Sequence, residues 1–437
     1  MSGTSFQDLI GVLRQTLAGL PDRRTGKNCS YAMEDFGLSA FAVFFTQSPS
    51  FLAHQQAMQK ARGVNNAQSV FGIQEIPSDN QVRGMLDPVP PQSLYPVYDQ
   101  IYDALRQAGI LAMFRGVHDS TLIALDGTWY HASYKIHCPC CSTLKSASGQ
   151  TLYYHSALTP VVVAPGRAEV ITLRPEFITP QDGHTKQDCE IAAAKRWLEQ
   201  HTARYLEGTV TLLGDDLYAH QPFCRRALMH GFHFLFTCKP DSHTSLYRWV
   251  DLLQSPDRRT FKARVKAGSQ WHTYTYAYAN RVPLAEGEDA LRVNWCELTV
   301  TDRKGHTLYH NAWVTDWPLT DANVPAVVAS GRARWKIENE NNNTLKTKGY
   351  HLEHNFGHGK KHLAAFLVTM NLLAFLFHTA LGFTDAHYRL VRAALHSRRT
   401  FFEHVNALTH YLHFPSWRGL LRFMMRGLEI GPYAKAH

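Results

Sequence analysis

The chain has 437 residues, of which 45% are hydrophobic, 12% aromatic and 19% charged. This composition belongs to a folded globular protein and excludes a collagen-like, low-complexity or extensively disordered chain. The length calls for two to three domains, and the formal charge of +9 is unevenly spread. Residues 331–437 hold 15 Lys+Arg against 6 Asp+Glu, so the first 330 residues balance at 30 against 30. A basic, histidine-rich final quarter suits a polyanionic partner and equally suits a solubilising surface.

The N-terminal stretch MSGTSFQDLIGVLRQTLAGL lacks a basic leader and a continuous apolar run, so it does not read as a signal peptide. Eight cysteines in this length do not make a disulfide framework, and a reducing cytoplasm is the expectation.

Residues 1–118 read as helical. SFQDLIGVLRQTL, SAFAVFFTQSPSFLAHQQAMQKA and YPVYDQIYDALRQAGILAMF each repeat apolar residues at three-to-four spacing, and DPVPPQS breaks the pattern between the last two. From Ser120 the texture turns to strands: TLIALDGTWYHASYKI, TLYYHSALTPVVVA and AEVITLRPEFI. A helix (KQDCEIAAAKRWLEQHTARY), a short buried strand (GTVTLLGDD), a helix (HQPFCRRALMHG) and a strand (FHFLFTCK) follow. Residues 242–325 alternate at period two in four more strands. A polar helix from Arg334 comes next, then the apolar segment Leu363–Leu381. That segment approaches membrane-spanning length, but Thr369, Asn371 and His378 interrupt it, so a buried core helix and no membrane are expected. The basic tail, 385–437, reads as helical.

Three meander strands followed by helix, strand, helix, strand is the connectivity of the ribonuclease H-like α/β fold. That fold carries one acid on its first strand, one just after its fourth and one on a later helix. The chain offers Asp126 in IALDGT, Asp215 (with Asp216 adjacent) ending TVTLLGD, and Glu338 in RWKIEN. Such acids can hold two divalent ions, and hard ions such as Mg²⁺ or Mn²⁺ take oxygen ligands and can drive phosphodiester cleavage. Each acid also has a plainer reading. Asp126-Gly127 is a hairpin turn pair, Asp215 or Asp216 can cap the following helix, and Glu338 can pair with Arg334 at i,i+4.

On LDGT, LLGDDLY and RWKIENENNNTLKTKGYHLEHNFGHG, the chain resembles a DDE-type transposase of a bacterial insertion sequence, in the cut-and-paste branch with a β-strand insertion domain. The resemblance spans almost the whole length. The signature of that branch is Tyr-Arg-Glu-Lys, with three residues between Arg and Glu and six between Glu and Lys. Arg334 and Glu338 match it; Gly331 stands where the Tyr belongs, and Leu345 stands at the Lys position with Lys346 one residue later. The Tyr that often follows the second acid by three residues matches Tyr218, which selects Asp215 over Asp216.

The resemblance implies a division into a helical N-terminal region that binds DNA (1–118), a first core part (119–241), a β-rich insertion domain (242–325), a second core part with the catalytic Glu (326–384) and a basic helical tail (385–437). It implies catalysis and binding of two Mg²⁺ or Mn²⁺ by Asp126, Asp215 and Glu338, and cleavage and strand transfer on double-stranded DNA at inverted repeats and target. It also implies a homodimer on paired ends and a bacterial, nucleoid-associated setting. Arg334, Lys346, Lys348, Lys360 and Lys361 are the expected DNA contacts. Trp271 and Trp295 are candidates to hold a flipped base or, more plainly, core tryptophans. A non-cutting DNA-binding repressor or domesticated relative is the alternative, and a junction resolvase on the same fold a further one.

Cys138 and Cys141 form a CxxC within HCPCC. His137, His155 or Cys189 could complete a structural zinc site, taken as Cys138, Cys141, His155 and Cys189, against unligated thiols in a packed loop. His351, His354, His358 and His362 read as hydrogen-bond donors to DNA phosphate or as core contacts rather than a metal face, because Gly357 and Gly359 interrupt the spacing and Lys360 and Lys361 would oppose a cation.

Overall fold

A computed structural model describes residues 5–25, 29–59, 65–180 and 188–434. The end of the helical block at Lys60–Ala61 and the head of the next expected helix at Lys186–Gln187 lie outside the described residues. The N-terminal region folds as α1 (Phe6–Ala18), α2 (Met33–Phe45), α3 (Phe51–Gln59), α4 (Asp79–Leu86) and α5 (Tyr95–Gln107). Helix α1 starts at a capping box between Ser5 and Asp8 and buries Phe6, Leu9, Ile10, Leu13 and Leu17, one apolar stripe. The block expected as one helix is broken into α2 and α3 where Gln47 takes a left-handed conformation.

The β region comprises β1 (Thr121–Ala124), β2 (Gly127–Ser133), β3 (Ser142–Lys145), β4 (Thr151–Leu158), β5 (Val161–Val163), β6 (Ile171–Thr172) and β7 (Glu176–Ile178). Each of the three expected meander strands is thus split in two. Their first-sheet halves β1, β5 and β6 pair antiparallel in sequence, whereas β2, β4 and β7 pair with one another in a second sheet that β3 joins. Pro160 and Pro175 flank two of these breaks, and a proline cannot donate to a ladder. Then come α6 (Glu190–His201), β8 (Val210–Gly214), α7 (Gln221–Met229), β9 (His233–Thr237) and α8 (Thr244–Leu252). β8 is parallel to both β1 and β9. Counting the five strands in chain order, the sheet runs third, second, first, fourth, fifth.

The region 242–325 supplies β10 (Arg258–Ala267), β11 (Gln270–Pro283), β12 (Arg292–Thr301) and β13 (Thr307–Thr315). These strands continue the same sheet, because β13 pairs antiparallel with β9, giving nine strands in all. The chain is a mixed α/β protein with a mixed sheet.

After α9 (Val324–Arg332), a π-helical turn (Ile337–Asn342) and α10 (Asn343–Thr347), the apolar segment forms α11 (Leu363–Thr384). It is apolar and long enough to cross a membrane, yet 89% of its most apolar window is buried inside the protein, in contact with α2, α4 and α5. Each buried Leu or Phe on it contributes roughly 1.5–3 kcal/mol. The polar residues that interrupt its run have partners. Asn371 Nδ2 donates to the Tyr350 carbonyl at 2.8 Å, His378 Nδ1 lies 2.6 Å from the Tyr350 hydroxyl, and Tyr98 donates to the Thr369 carbonyl at 2.7 Å. Asn371 and His378 anchor Tyr350, which follows α10, to the core. The tail adds α12 (Ala386–Ala394), α13 (Arg398–Tyr411) and α14 (Trp417–Gly427), and from α13 the half-buried Arg398 donates to the Tyr350 hydroxyl at 2.5 Å.

Tyr350→Phe removes the hydroxyl of a buried tyrosine from both the half-buried Arg398 guanidinium and His378, and is expected to cost about 1–3 kcal/mol. Tyr411→Phe, at an exposed tyrosine, is expected to stay within about 0.5 kcal/mol. Urea unfolding of both variants beside the wild type checks the pair.

Candidate active site

β1 and β8 are neighbours and parallel, with Ala124 opposite Leu213, and Leu125 N–H donates to the Leu213 carbonyl at 2.8 Å. Two residues on, Asp126 and Asp215 therefore leave the sheet side by side at the carboxyl ends of adjacent parallel strands, where open α/β sheets place their ligands. Asp215 spends one oxygen on the Leu217 N–H, 2.9 Å away. Asp216 faces elsewhere: its carboxylate accepts from Lys239 N–H at 2.6 Å and from the Ser242 hydroxyl, and lies 3.4 Å from His243 Nε2. Asp216 fastens the turn after β9, which leaves Asp215 as the one of the pair beside Asp126.

A fourth acid joins them that the sequence reading missed. Glu190 opens α6, and the Tyr218 hydroxyl donates to its Oε1 at 2.6 Å. A Cβ on Gly127 would come within 2.3 Å of Glu190 Oε2, so the glycine after Asp126 makes room for this carboxylate; it is not a hairpin turn residue, since β2 starts there. A Cβ on Gly214 would likewise meet the Tyr218 ring at 2.7 Å. Tyr218 is fully buried and its hydroxyl is held far above its ordinary pKa by burial and then by Glu190, so it acts as a neutral donor. The small residues beside both aspartates and the Tyr three positions after Asp215 were the available signals for this acid.

Glu338 sits in the π-helical turn, and Arg334 Nη2 contacts its Oε1 at 2.8 Å, so the i,i+4 pair is present. Arg334 is buried, which directs its charge to the acids. The asparagines of NENNN tie this turn to the sheet. Asn342 Nδ2 donates to Asp126 Oδ2 at 3.1 Å, the Thr159 hydroxyl donates to Asn342 Oδ1 at 3.1 Å, and the Thr172 hydroxyl donates to Asn341 Oδ1 at 3.1 Å. The departures from the signature have steric causes. A Cβ on Gly331 would lie 2.6 Å from Trp313 Nε1, so no tyrosine fits there. Leu345 is fully buried, where an unpaired lysine would be costly.

Burial first, and then the negative charge of Glu190 with smaller pushes from Glu338 and Asp215, raise the Asp126 carboxyl to about 7 against the opposing pull of Arg334. Glu190 is raised chiefly by burial, with Asp215 adding to it. Four carboxylates thus share one region with Arg334 as the cation these shifts register. That donor set consists of hard oxygens in charge excess, which fits Mg²⁺ or Mn²⁺. Among the described residues no three of the four acids bring their oxygens within 4.8 Å of one another.

The other expected residues are dispersed. Lys346 is paired with Glu353 at 2.8 Å, while Lys348, Lys360 and Lys361 are exposed. Trp295 is fully buried in the sheet and cannot receive a base; Trp271 is 38% exposed beside the tip of the β10–β11 hairpin, with Arg264 over its ring. Cys138, Cys141 and His155 come together, but Cys189 does not join them. It is the exposed N-cap residue of α6, and His358 takes the fourth place. His137 stacks on Tyr153 instead.

No protein-family model matches the chain, and no curated protein matches it. Among solved structures it is similar to piggyBac transposase in the cryo-EM structure of its synaptic complex with hairpin DNA, at 8% identity and a TM-score of 0.40, over 98% of this chain and 80% of that one. At that distance the likeness assigns neither a family nor an activity.

Asp126 binds its proton more tightly folded, at about 7, than at its ordinary value of 3.8. Its contribution to stability is therefore full below that ordinary value and lost as pH rises through the folded one. In chelator, the melting temperature is expected to fall between about pH 5 and 8 more steeply for the wild type than for Asp126→Asn; equal slopes would remove the assignment. Gly331→Tyr, which restores the signature letter, is expected to destabilise by about 1–3 kcal/mol through overpacking against Trp313, measured by urea unfolding.

Proposed function

We propose that the chain is a DDE-type DNA transposase with a ribonuclease H-like core. It binds the inverted repeats at an element's ends, cleaves a strand there, and uses the freed 3′ hydroxyl on a second strand or on target DNA. The observation that carries this reading is the placement of Asp126 and Asp215 at the ends of adjacent parallel strands, in a sheet ordered third, second, first, fourth, fifth, with Glu190 from α6 and Glu338 from the π-helical turn close enough to bear on the Asp126 carboxyl.

Two Mg²⁺ or Mn²⁺ held by Asp126, Asp215 and Glu338 would activate the attacking water or hydroxyl and stabilise the leaving 3′ oxygen. The strand ends keep Asp126 and Asp215 in place without reorganisation. Asn342 orients Asp126 through Oδ2, Tyr218 orients Glu190, and Arg334 holds Glu338. Phosphate recognition falls to exposed cations: Lys348, Lys360 and Lys361 on the segment after Glu338, and Lys262, Arg264 and Lys266 on the edge strand β10. Lysines and arginines on an edge strand also deter strand addition, and the two roles are compatible. A homodimer on paired ends completes the proposal.

Purified protein with Mg²⁺ or Mn²⁺ and DNA bearing the flanking inverted repeats is expected to cut at the repeats. Asp126→Asn, Asp215→Asn and Glu338→Gln should bind the same DNA yet cut at least about 100-fold more slowly. Glu190→Gln should lose about 10–100-fold, as a residue supporting the metal ligands. Cutting by Glu338→Gln at the wild-type rate would sink the proposal.

A further inference from the structure

Away from the acids, one group of histidine and cysteine side chains stands out among the described residues. The donor atoms of Cys138, Cys141, His155 and His358 all lie within 4.8 Å of one another. We infer that these four side chains form a closed, structural zinc site that fastens the segment following the Glu338 turn to the second sheet.

The distances carry the inference. Cys138 Sγ and Cys141 Sγ are 3.9 Å apart, His155 Nε2 lies 3.5 Å from Cys138 Sγ and 3.4 Å from Cys141 Sγ, and His358 Nε2 lies 3.6 Å from Cys141 Sγ. A tetrahedron with Zn–S near 2.3 Å and Zn–N near 2.0–2.1 Å has S–S edges of about 3.8 Å and S–N edges of about 3.5 Å. Both thiols are unbridged, and their separation is nearly twice the roughly 2.05 Å of a disulfide. A packed loop of unligated thiols has no reason to aim four donors at one point with these edges.

The surroundings fit a ligated cluster. Cys138 and Cys141 flank a tight turn in which Cys141 N–H donates to the Cys138 carbonyl at 3.1 Å and Cys138 N–H donates to Cys141 Sγ at 3.3 Å, the kind of contact that steadies a thiolate. Tyr130 stacks on the His155 ring and His131 packs 4.4 Å from the His358 ring, fixing both imidazoles. Two thiolates offset the charge of Zn²⁺, so Lys360 and Lys361 do not oppose it, contrary to the expectation from sequence. With four protein ligands the site keeps no open position for substrate.

The ligands come from distant parts of the chain. Cys138 and Cys141 lie between β2 and β3, His155 is on β4, and His358 is 217 residues beyond Cys141. From the other side, Asp87 after α4 accepts from the N–H groups of Lys360, Lys361 and Leu363, and Arg83 donates to the Phe356 carbonyl at 3.0 Å. The segment from Phe356 to Leu363 is therefore gripped by α4 on one flank and by the metal on the other. β2 begins immediately after Asp126, so the same metal links the Asp126 strand to the chain that leaves Glu338.

The test is metal content of the full-length protein, purified without a metal-affinity tag and dialysed. The wild type is expected to hold about one zinc per chain, Cys138→Ser and His358→Ala less than about 0.2, and His358→Cys about one again. Stripping the wild type with chelator should lower its melting temperature, and Zn²⁺ should restore it where Mg²⁺ does not. Wild-type protein without zinc, or His358→Ala with a full equivalent, overturns the inference. Metal retention by His358→Cys separates loss of a ligand from failure to fold, and no readout involves DNA cleavage, so the result stands apart from the proposed activity.

Discussion

Acids buried together, away from water first and against one another second, set the terms for this molecule. Raising the Asp126 carboxyl from 3.8 to about 7 corresponds to roughly 4 kcal/mol of unfavourable environment for its ionised form. The protein sustains that cost by placing the acids on elements that cannot move apart: two parallel strands in register, the first residue of α6, and a turn fastened by asparagines. A hydroxyl from Tyr218, a guanidinium from Arg334 and two glycines without side chains fill the space between. A site so arranged holds more negative than positive charge.

The breaks in the meander serve the same end. All three strands change sheets close to one level, at Asp126, at Thr159–Pro160 and between Thr172 and Glu176. The backbone groups released there are taken up by neighbours, as when Thr159 N–H donates to the Asp126 carbonyl at 3.0 Å. The parting of the two sheets admits Asn341 and Asn342, which reach Thr159, Thr172 and Asp126 from the Glu338 turn. Behind that turn stands α11, whose few polar side chains hold Tyr350 while its apolar surface packs against the N-terminal helices. The helical first quarter of the chain and the catalytic candidate are thus parts of one mechanical unit.

Much of this was legible in the sequence, for reasons that also explain what was not. Apolar periodicity reports the faces of each segment, so strand order and helix positions from Ser120 to Lys239 could be read, along with the acids that strand ends would bring near one another. Periodicity is blind to which sheet a strand joins, so the split meander and the continuity of β10–β13 with β9 were invisible. Glu190 went unread because an acid opening a helix is ordinary; its role depends on Gly127 and Tyr218, 63 and 28 residues away or nearer in space than in sequence only after folding. His358 was set aside because Lys360 and Lys361 stand beside it, and its approach to the CxxC depends on the fold closing a loop of more than two hundred residues. Nothing in the run of asparagines signals burial, yet Asn341 and Asn342 are buried and bonded.

The π-helical turn at Ile337–Asn342 gives the displaced lysine a geometric meaning. On an α-helix, eight residues beyond Glu338 falls about 80° off its face, whereas seven falls about 20° off. A π turn takes in one more residue per turn, so the extra position before Lys346 adds length to the sequence with little added rotation. Glu338 and Lys346 then lie closer to one face than eight residues of plain α-helix would bring them. Patterns written as fixed residue spacings would pass over chains built this way, while patterns written in turns of helix would find them.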